Sequence, residues 1–73
     1  MRLKPIGSNQ TELVKTDGTV LFFSYETPVA GFDKDGYFRT EEKFSVTTAK
    51  HINRWLFGMN YRTVSQAYIK SLL

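Results

Sequence analysis

The densest group of side chains that could do chemistry lies within residues 45–58, SVTTAKHINRWLFG. It holds two threonine hydroxyls, two cations and the single histidine, on Thr47, Thr48, Lys50, Arg54 and His51. Cations and hydroxyls beside the free N–H groups of a helix N-terminus bind anions, phosphates in particular. The chemistry that this segment suggests is phosphate binding. The other interpretation is that Lys50 and Arg54 merely hydrate an exposed helix face.

Catalytic and metal-binding chemistry have little support in the rest of the chain. There is no Cys and only one His, so thiolate zinc sites, Fe–S clusters and His-rich metal sites are excluded. Asp33, Asp35 and Glu42 match the later positions of a calcium-binding loop, but Gly31 occupies the first ligand position. We therefore interpret this segment as a hairpin turn, and we expect no cofactor, no metal and no enzymatic activity.

Residues 47–58 must form an amphipathic helix if they are to present these side chains. Thr47 or Thr48 is the predicted N-cap, and Gly58 is the predicted C-terminal stop. The apolar residues at helical spacing define the predicted core-facing stripe: Ala49, Ile52, Trp55, Leu56 and Met59. Lys50 and Arg54, four residues apart, lie together on the other side.

The first turn of this helix breaks a local rule of helix stability. Helix N-termini carry partial positive charge and favour Asp or Glu, whereas this first turn has Lys50 and His51 and no acid. Departures of this kind often mark functional sites. The pattern favours an anion as the partner of the helix.

The rest of the chain reads as strands separated by turns. We predict strands at residues 11–15, 20–26, 29–32 and 37–46, after an irregular lead-in at residues 1–10. Asp17-Gly18 predicts a type I′ hairpin turn, and residues 33–36, DKDG, predict a second turn. A short strand at 61–64 and a short helix at 66–73, capped by Ser65, follow the main helix.

Together these elements predict one α+β domain over residues 1–73. Its core is a four-stranded antiparallel β-meander with one main α-helix packed on one face, plus the short C-terminal strand and helix. Strand 20–26 is apolar on both faces near its start, which places it centrally in the sheet. Leu21 and Phe23 point to one side, and Phe22 and Ser24 point to the other.

Charge is distributed unevenly along the chain, whose net charge is +3. Residues 1–46 hold six Lys or Arg and seven Asp or Glu, a net of −1, whereas residues 47–73 hold four cations and no acid. This asymmetry favours an anionic partner for the C-terminal part. No apolar run approaches a membrane span and no signal-peptide pattern opens the chain, so we expect a soluble protein without a membrane partner.

Two functions fit these patterns. The first is weak nucleic-acid binding by the basic face of helix 47–58, through Thr47, Thr48, Lys50, His51, Arg54, Phe57 and Arg62. There the cations would hold phosphates and the aromatic ring would stack on a base. The alternative is a protein-interaction module that binds another protein through the helix and Phe57. A homodimer would also cover exposed apolar side chains.

Several stretches resemble a family of short, uncharacterised proteins of tailed bacteriophages, especially marine and cyanobacterial phages. They are residues 6–9 with Thr11, FFSYETPVA at 22–30, YFRT at 37–40 and, most distinctively, SVTTAKHINRWL at 45–56. The resemblance implies a phage origin and action in the host cytoplasm. It implies no activity and no site residues.

Overall fold

The computed structural model describes residues 2–73, which form a six-stranded sheet with one helix against each face. The strands cross the sheet in chain order, and every neighbouring pair is antiparallel except the last. The elements are β1 Arg2–Gly7, β2 Gln10–Val14, β3 Val20–Ser24, β4 Thr27–Asp33, β5 Gly36–Thr40, α1 Val46–Trp55, β6 Tyr61–Val64 and α2 Gln66–Ser71. The predicted α+β meander with a main helix and a short C-terminal strand and helix is confirmed.

The sheet has two more strands than the four-stranded core predicted from the sequence. Residues 2–7, predicted as an irregular lead-in, form edge strand β1, in which Leu3 pairs with Leu13 of β2. Pro5 is compatible with a strand here because an edge position leaves one row of backbone groups without a partner. At the other edge, β6 joins the sheet beside β5.

The β5–α1–β6 segment is a crossover unit within an otherwise antiparallel sheet. Tyr37 of β5 pairs with Tyr61 of β6 in a parallel ladder, so the chain must return along one face of the sheet between them. Helix α1 makes that return. A parallel pair requires such a connection. Because crossovers of this kind are right-handed, the connection fixes the face on which α1 lies.

Strand β5 is shorter than the predicted strand 37–46. It ends at Thr40, whose side-chain oxygen accepts a hydrogen bond from the backbone N–H of Glu42 at 3.1 Å. This turn releases the chain from the sheet before Phe44 and Val46. Both side chains are exposed, so the part of the predicted strand that contains them does not pack on the core.

The first predicted hairpin turn has a different geometry. The backbone N–H of Gly18 bonds to the carbonyl of Lys15 at 3.1 Å, and Gly18 has a φ of 93°. A type I′ turn at Asp17-Gly18 would also require a positive φ at Asp17, which is not observed. Asp17 instead accepts a hydrogen bond from the backbone N–H of Thr19, so a longer loop replaces the two-residue turn.

The two faces of the sheet bury separate apolar clusters because neighbouring residues of a strand point to opposite sides. Phe22 and Ala30 pack with Ile52 and Leu56 under α1. The other cluster, under α2, contains Leu13, Leu21, Phe38 and Ile69. The prediction that β3 is central and apolar on both faces is confirmed, since Leu21 and Phe22 are both fully buried.

Gly31 allows the α2-side cluster to close over the middle of the sheet. A Cβ atom at this position would lie 2.5 Å from Cζ of Phe38 and 2.5 Å from the carbonyl oxygen of Val20. The Phe38 ring thus occupies the space that any larger residue would need. Backbone and ring are both held by the sheet, so neither can move away cheaply.

We predict that Gly31→Ala lowers the free energy of unfolding by about 1–3 kcal/mol, the usual range for an overpacked core. Urea denaturation measures the change. Gly7→Ala is the matched control, because its Cβ would meet mainly the flexible end of the Gln10 side chain. Equal stability of the two variants would contradict the packing role of Gly31.

Candidate nucleic-acid interface

One face of α1 carries a polar stripe made of Thr47, Lys50, His51 and Arg54. These residues follow the i, i+3, i+4, i+7 spacing that places side chains on one side of a helix. Together with Asn53 they line an open groove of about 390 Å³. Four of the predicted site residues therefore lie side by side on the surface of α1.

The orientation of α1 is set by the apolar side chains on its opposite side. Ile52 and Leu56 are buried, and the Trp55 ring stacks on Phe22 with centroids 5.0 Å apart. The predicted core-facing stripe is wrong at two positions. Ala49 and Met59 are exposed, because Thr48 points toward the sheet instead and the helix ends at Trp55.

Thr48 lies on the inner side of the helix and not in the polar stripe. Its side chain is 6% exposed, and its hydroxyl lies 3.1 Å from the Ser24 hydroxyl. The structure therefore corrects the prediction that Thr48 contacts phosphate, because its oxygen faces the sheet. A polar partner on β3, which the helical pattern does not reveal, makes this burial possible.

The N-cap of the helix lies two or three residues earlier than predicted. Ser45 is the N-cap, and its hydroxyl accepts a hydrogen bond from the backbone N–H of Thr48 at 3.2 Å. The prediction of Thr47 or Thr48 as the cap is wrong. At the other end, Leu56 is the C-cap, and Gly58 has the left-handed φ of 78° in the following turn.

His51 is half-buried at the border between the polar stripe and the sheet. Its Nδ1 atom lies 2.8 Å from the Ser24 hydroxyl, and the Tyr25 ring lies 5.9 Å from the imidazole. Tyr25 holds a positive φ of 58°, a conformation that non-glycine residues rarely adopt. With Nδ1 engaged, Nε2 is the ring nitrogen that remains for a partner outside the protein.

The two cations of the stripe are not neutralised by the protein itself. Neither Lys50 nor Arg54 makes a salt bridge or a side-chain hydrogen bond with another of residues 2–73. Arg54 shares a groove with Glu12, but that carboxylate accepts a hydrogen bond from Nε1 of Trp55 at 2.7 Å. The surface of α1 thus presents two adjacent positive charges to solvent.

A third cation, Arg39, lies beside α1 and is not among the predicted site residues. It donates a hydrogen bond to Oδ1 of Asn53 at 3.4 Å. The signal was available in the strand alternation of YFRT, which puts Arg39 on the same face as Tyr37 and opposite to Phe38. Only the crossover of α1 onto that face brings it to the site.

Phe57 lies just beyond the helix and is 86% exposed. Its backbone N–H bonds to the carbonyl of Arg54, which keeps the last turn closed. The ring is not part of the groove that the polar stripe lines. Its exposure leaves it available to a partner.

Arg62 belongs to a different part of the molecule. It donates two hydrogen bonds to the Asp33 carboxylate, at 2.9 and 3.1 Å, and its guanidinium lies over the rings of Phe38 and Tyr68. These partners lie on the α2 side of the sheet. The prediction that Arg62 joins the basic face of α1 is therefore wrong, since the parallel register of β6 turns it to the other face.

Asp33 is the centre of this second polar cluster. Burial alone would raise the pKa of its carboxyl, but hydrogen bonds from Tyr68, Arg62 and the Asp35 backbone outweigh burial and hold that pKa below its ordinary value. The same contact with Asp33 raises the pKa of Arg62 and of Tyr68. The cluster ties α2, β4 and β6 together.

The segment with a partial calcium-loop pattern forms the β4–β5 hairpin, and Asp33 within it is committed to Arg62 and Tyr68. Among residues 2–73, no group of three His, Asp or Glu side chains is arranged to hold a metal ion. None of the helices in the same range has the length and apolarity needed to cross a membrane.

Residues 1–71 match the model of a family described as a family of unknown function, DUF8033. The chain belongs to this family. The match spans every strand of the sheet, helix α1 with its polar stripe, and α2. We found no significant match among curated proteins or among solved structures. The predicted membership of a family of unknown function is thereby confirmed.

We predict that Asp33→Asn lowers the free energy of unfolding at neutral pH by about 1–3 kcal/mol, because Arg62 and Tyr68 lose a charged acceptor. The carboxylate has a lowered pKa in the folded state. Its stabilising effect is therefore complete above the ordinary value of 3.8 and is lost as pH falls through the lower folded value. Urea unfolding of both proteins over a pH series from about 7 to about 2 measures this difference.

Asp35→Asn is the matched control, since Asp35 is exposed in the same hairpin. Its stability should follow the wild-type curve closely. A stability difference between Asp33→Asn and the wild type that stayed constant down to the acid end of the series would contradict the role of the ionised Asp33.

Proposed function

We propose that this protein is a small non-enzymatic accessory protein that binds nucleic acid weakly through the polar stripe of α1. Lys50 and Arg54 hold phosphates, and Thr47 and His51 supply hydrogen bonds beside them. The observation that carries the proposal is that both cations are exposed and lack an acidic partner among residues 2–73.

The electrostatics of α1 support an anion as the missing partner. Like charges four residues apart on a helix destabilise it by about 0.2–0.5 kcal/mol, and Lys50 and Arg54 stand in that relation. No acid in the first turn compensates for them. A phosphate between the two side chains would turn this repulsion into two attractive contacts, and Arg39, which contacts Asn53 of the same helix, would add a third charge.

The Ser24–His51 pair does not argue for an enzyme. A hydrolytic Ser–His pair needs a nucleophile that the substrate can reach. Ser24 is 2% exposed and lies beneath α1. The pair instead orients His51 within the stripe.

The resemblance to short proteins of tailed phages supports a finer proposal, a phage origin and action in the host cytoplasm. A small protein that binds nucleic acid weakly and without catalysis fits such an accessory role. Its targets there would be nucleic acid of the host or of the phage.

Binding of a host or phage protein is the second candidate function. Phe57 is 86% exposed, and Met59 and Tyr61 beside it are about half exposed. Tyr61 is the first residue of β6, whose outer edge has no partner strand within residues 2–73. Apolar side chains next to an open strand edge suit a protein partner, including a second copy of this chain.

We predict that the logarithm of the association constant for DNA falls linearly with the logarithm of salt concentration, with a slope of about −2 to −3. Lys50→Ala and Arg54→Ala should each weaken binding and make this slope shallower by about one, since each removes one phosphate contact. Fluorescence anisotropy of labelled single- and double-stranded DNA in a salt series measures both effects.

Lys70→Ala is the matched control, because Lys70 is exposed on α2 at the opposite face. It should leave the slope unchanged. If all three variants behaved alike, the polar stripe would not be the binding surface. Absence of binding at low salt would remove the nucleic-acid proposal, and capture of a host protein that persists after nuclease treatment and is lost in Phe57→Ser would favour the second candidate.

A further inference from the structure

A second groove adjoins the polar stripe and shares Arg54 with it. This groove, called here the Trp55 groove, has a volume of about 400 Å³ and is lined by Ile6, Gln10, Glu12, Tyr37, Arg54 and Trp55. Its floor comes from the sheet and one wall comes from α1. Arg54 therefore stands between a phosphate-type surface and a surface of different chemistry.

Trp55 gives this groove a rigid aromatic wall. Its indole stacks on Phe22, with centroids 5.0 Å apart and 17° between the planes, and makes a T-shaped contact with the Tyr37 ring, with centroids 5.7 Å apart. Its N–H is tied to Glu12, so the ring is held on three sides. Trp55 is half-buried and lines the groove, so a rigidly held aromatic ring meets whatever enters it.

The polar groups of the groove select against phosphate and in favour of a nucleobase. Glu12 is an acceptor with negative charge, so it repels a phosphate and attracts an N–H donor. Its Oε2 atom accepts from Trp55, while Oε1 makes no hydrogen bond within residues 2–73. An aromatic wall combined with a free carboxylate oxygen fits a base that carries an exocyclic amino group.

We propose that the Trp55 groove binds an unpaired base of single-stranded nucleic acid, with preference for cytosine or adenine over thymine or uracil. This inference rests on the proposed function, because the polar stripe would hold the backbone that delivers the base. The base stacks against Trp55, its amino group donates to Oε1 of Glu12, and Arg54 binds the adjoining phosphate. A duplex cannot use the groove, since its bases are stacked and paired.

Trp55 is the only tryptophan of the chain, so its fluorescence reports on this groove directly. Oligo-dC, oligo-dT and a mixed-sequence duplex of equal length are titrated into the protein at low salt. We expect oligo-dC to quench the emission and to bind about fivefold more tightly than oligo-dT, the lower end of discrimination by a base contact. The duplex should leave the emission nearly unchanged.

Glu12→Gln keeps an oxygen acceptor for Trp55 but replaces the free acceptor with a donor amide. It should abolish the preference for oligo-dC, and far-ultraviolet circular dichroism verifies that the variant is folded. Glu26→Gln makes the same charge change in the exposed β3–β4 turn and should retain the preference.

The outcomes separate this inference from the function on which it rests. One outcome is salt-dependent binding of all three probes that needs Lys50 and Arg54 but shows no quenching and no base preference. It would overturn the proposal that the Trp55 groove binds a base and would still support binding by the polar stripe. A base preference unchanged in Glu12→Gln would overturn the role of Glu12. Failure of every probe to bind at low salt would overturn both proposals.

Discussion

The packing of Ile52 and Leu56 against Phe22 and Ala30 is the contact on which the rest of the surface depends. These side chains are almost fully removed from water, and their burial fixes the rotation of α1 about its own axis. A rotation by one residue position would bring His51 or Asn53 to the place of Ile52, and burying a polar side chain without a partner costs free energy. The same contact therefore stabilises the fold and decides which charges face outward.

The crossover from β5 to β6 adds a second constraint. A parallel pair at the sheet edge requires the chain to pass over one face, and α1 fills that face. Without α2, Leu21 and Phe38 would be exposed on the opposite face. Helix α2 covers them by packing Ile69 against them. Each helix is short, but each lies on a strongly apolar part of the sheet, and that packing gives α2 a stability it would lack in isolation.

The molecule separates its charged groups into two kinds. On the α2 side, Arg62, Asp33 and Tyr68 satisfy one another and hold elements together. On the α1 side, Lys50 and Arg54 have no such partners among residues 2–73, and Glu12 uses only one of its oxygens. The paired charges thus hold the α2 side together, whereas Lys50, Arg54 and Glu12 line the two grooves beside α1. This division is the physical basis of both proposals.

Local sequence was sufficient for the features that depend on neighbouring residues. Helical spacing places Lys50, His51 and Arg54 on one face of α1, and strand alternation places Leu21 and Phe22 on opposite sides of β3. The structure has both arrangements, because the two periods are properties of the backbone itself. The lead-in strand β1 and the exact helix cap were missed, because Pro5 and two competing hydroxyls give weak local signals.

Tertiary structure decided every feature that depends on which face of a helix packs on which face of the sheet. Thr48 faces the sheet, where Ser24 lies opposite it. Arg62 lies outside the site, because the parallel register of β6 faces it toward Asp33. Arg39 and Glu12 belong to the site, because α1 packs over the face of the sheet that carries them. The sequence alone determined that this chain carries an amphipathic, cationic helix on a β-sheet. Which side chains surround that helix was settled only by strand register and crossover, since both arise from contacts between residues far apart in the chain.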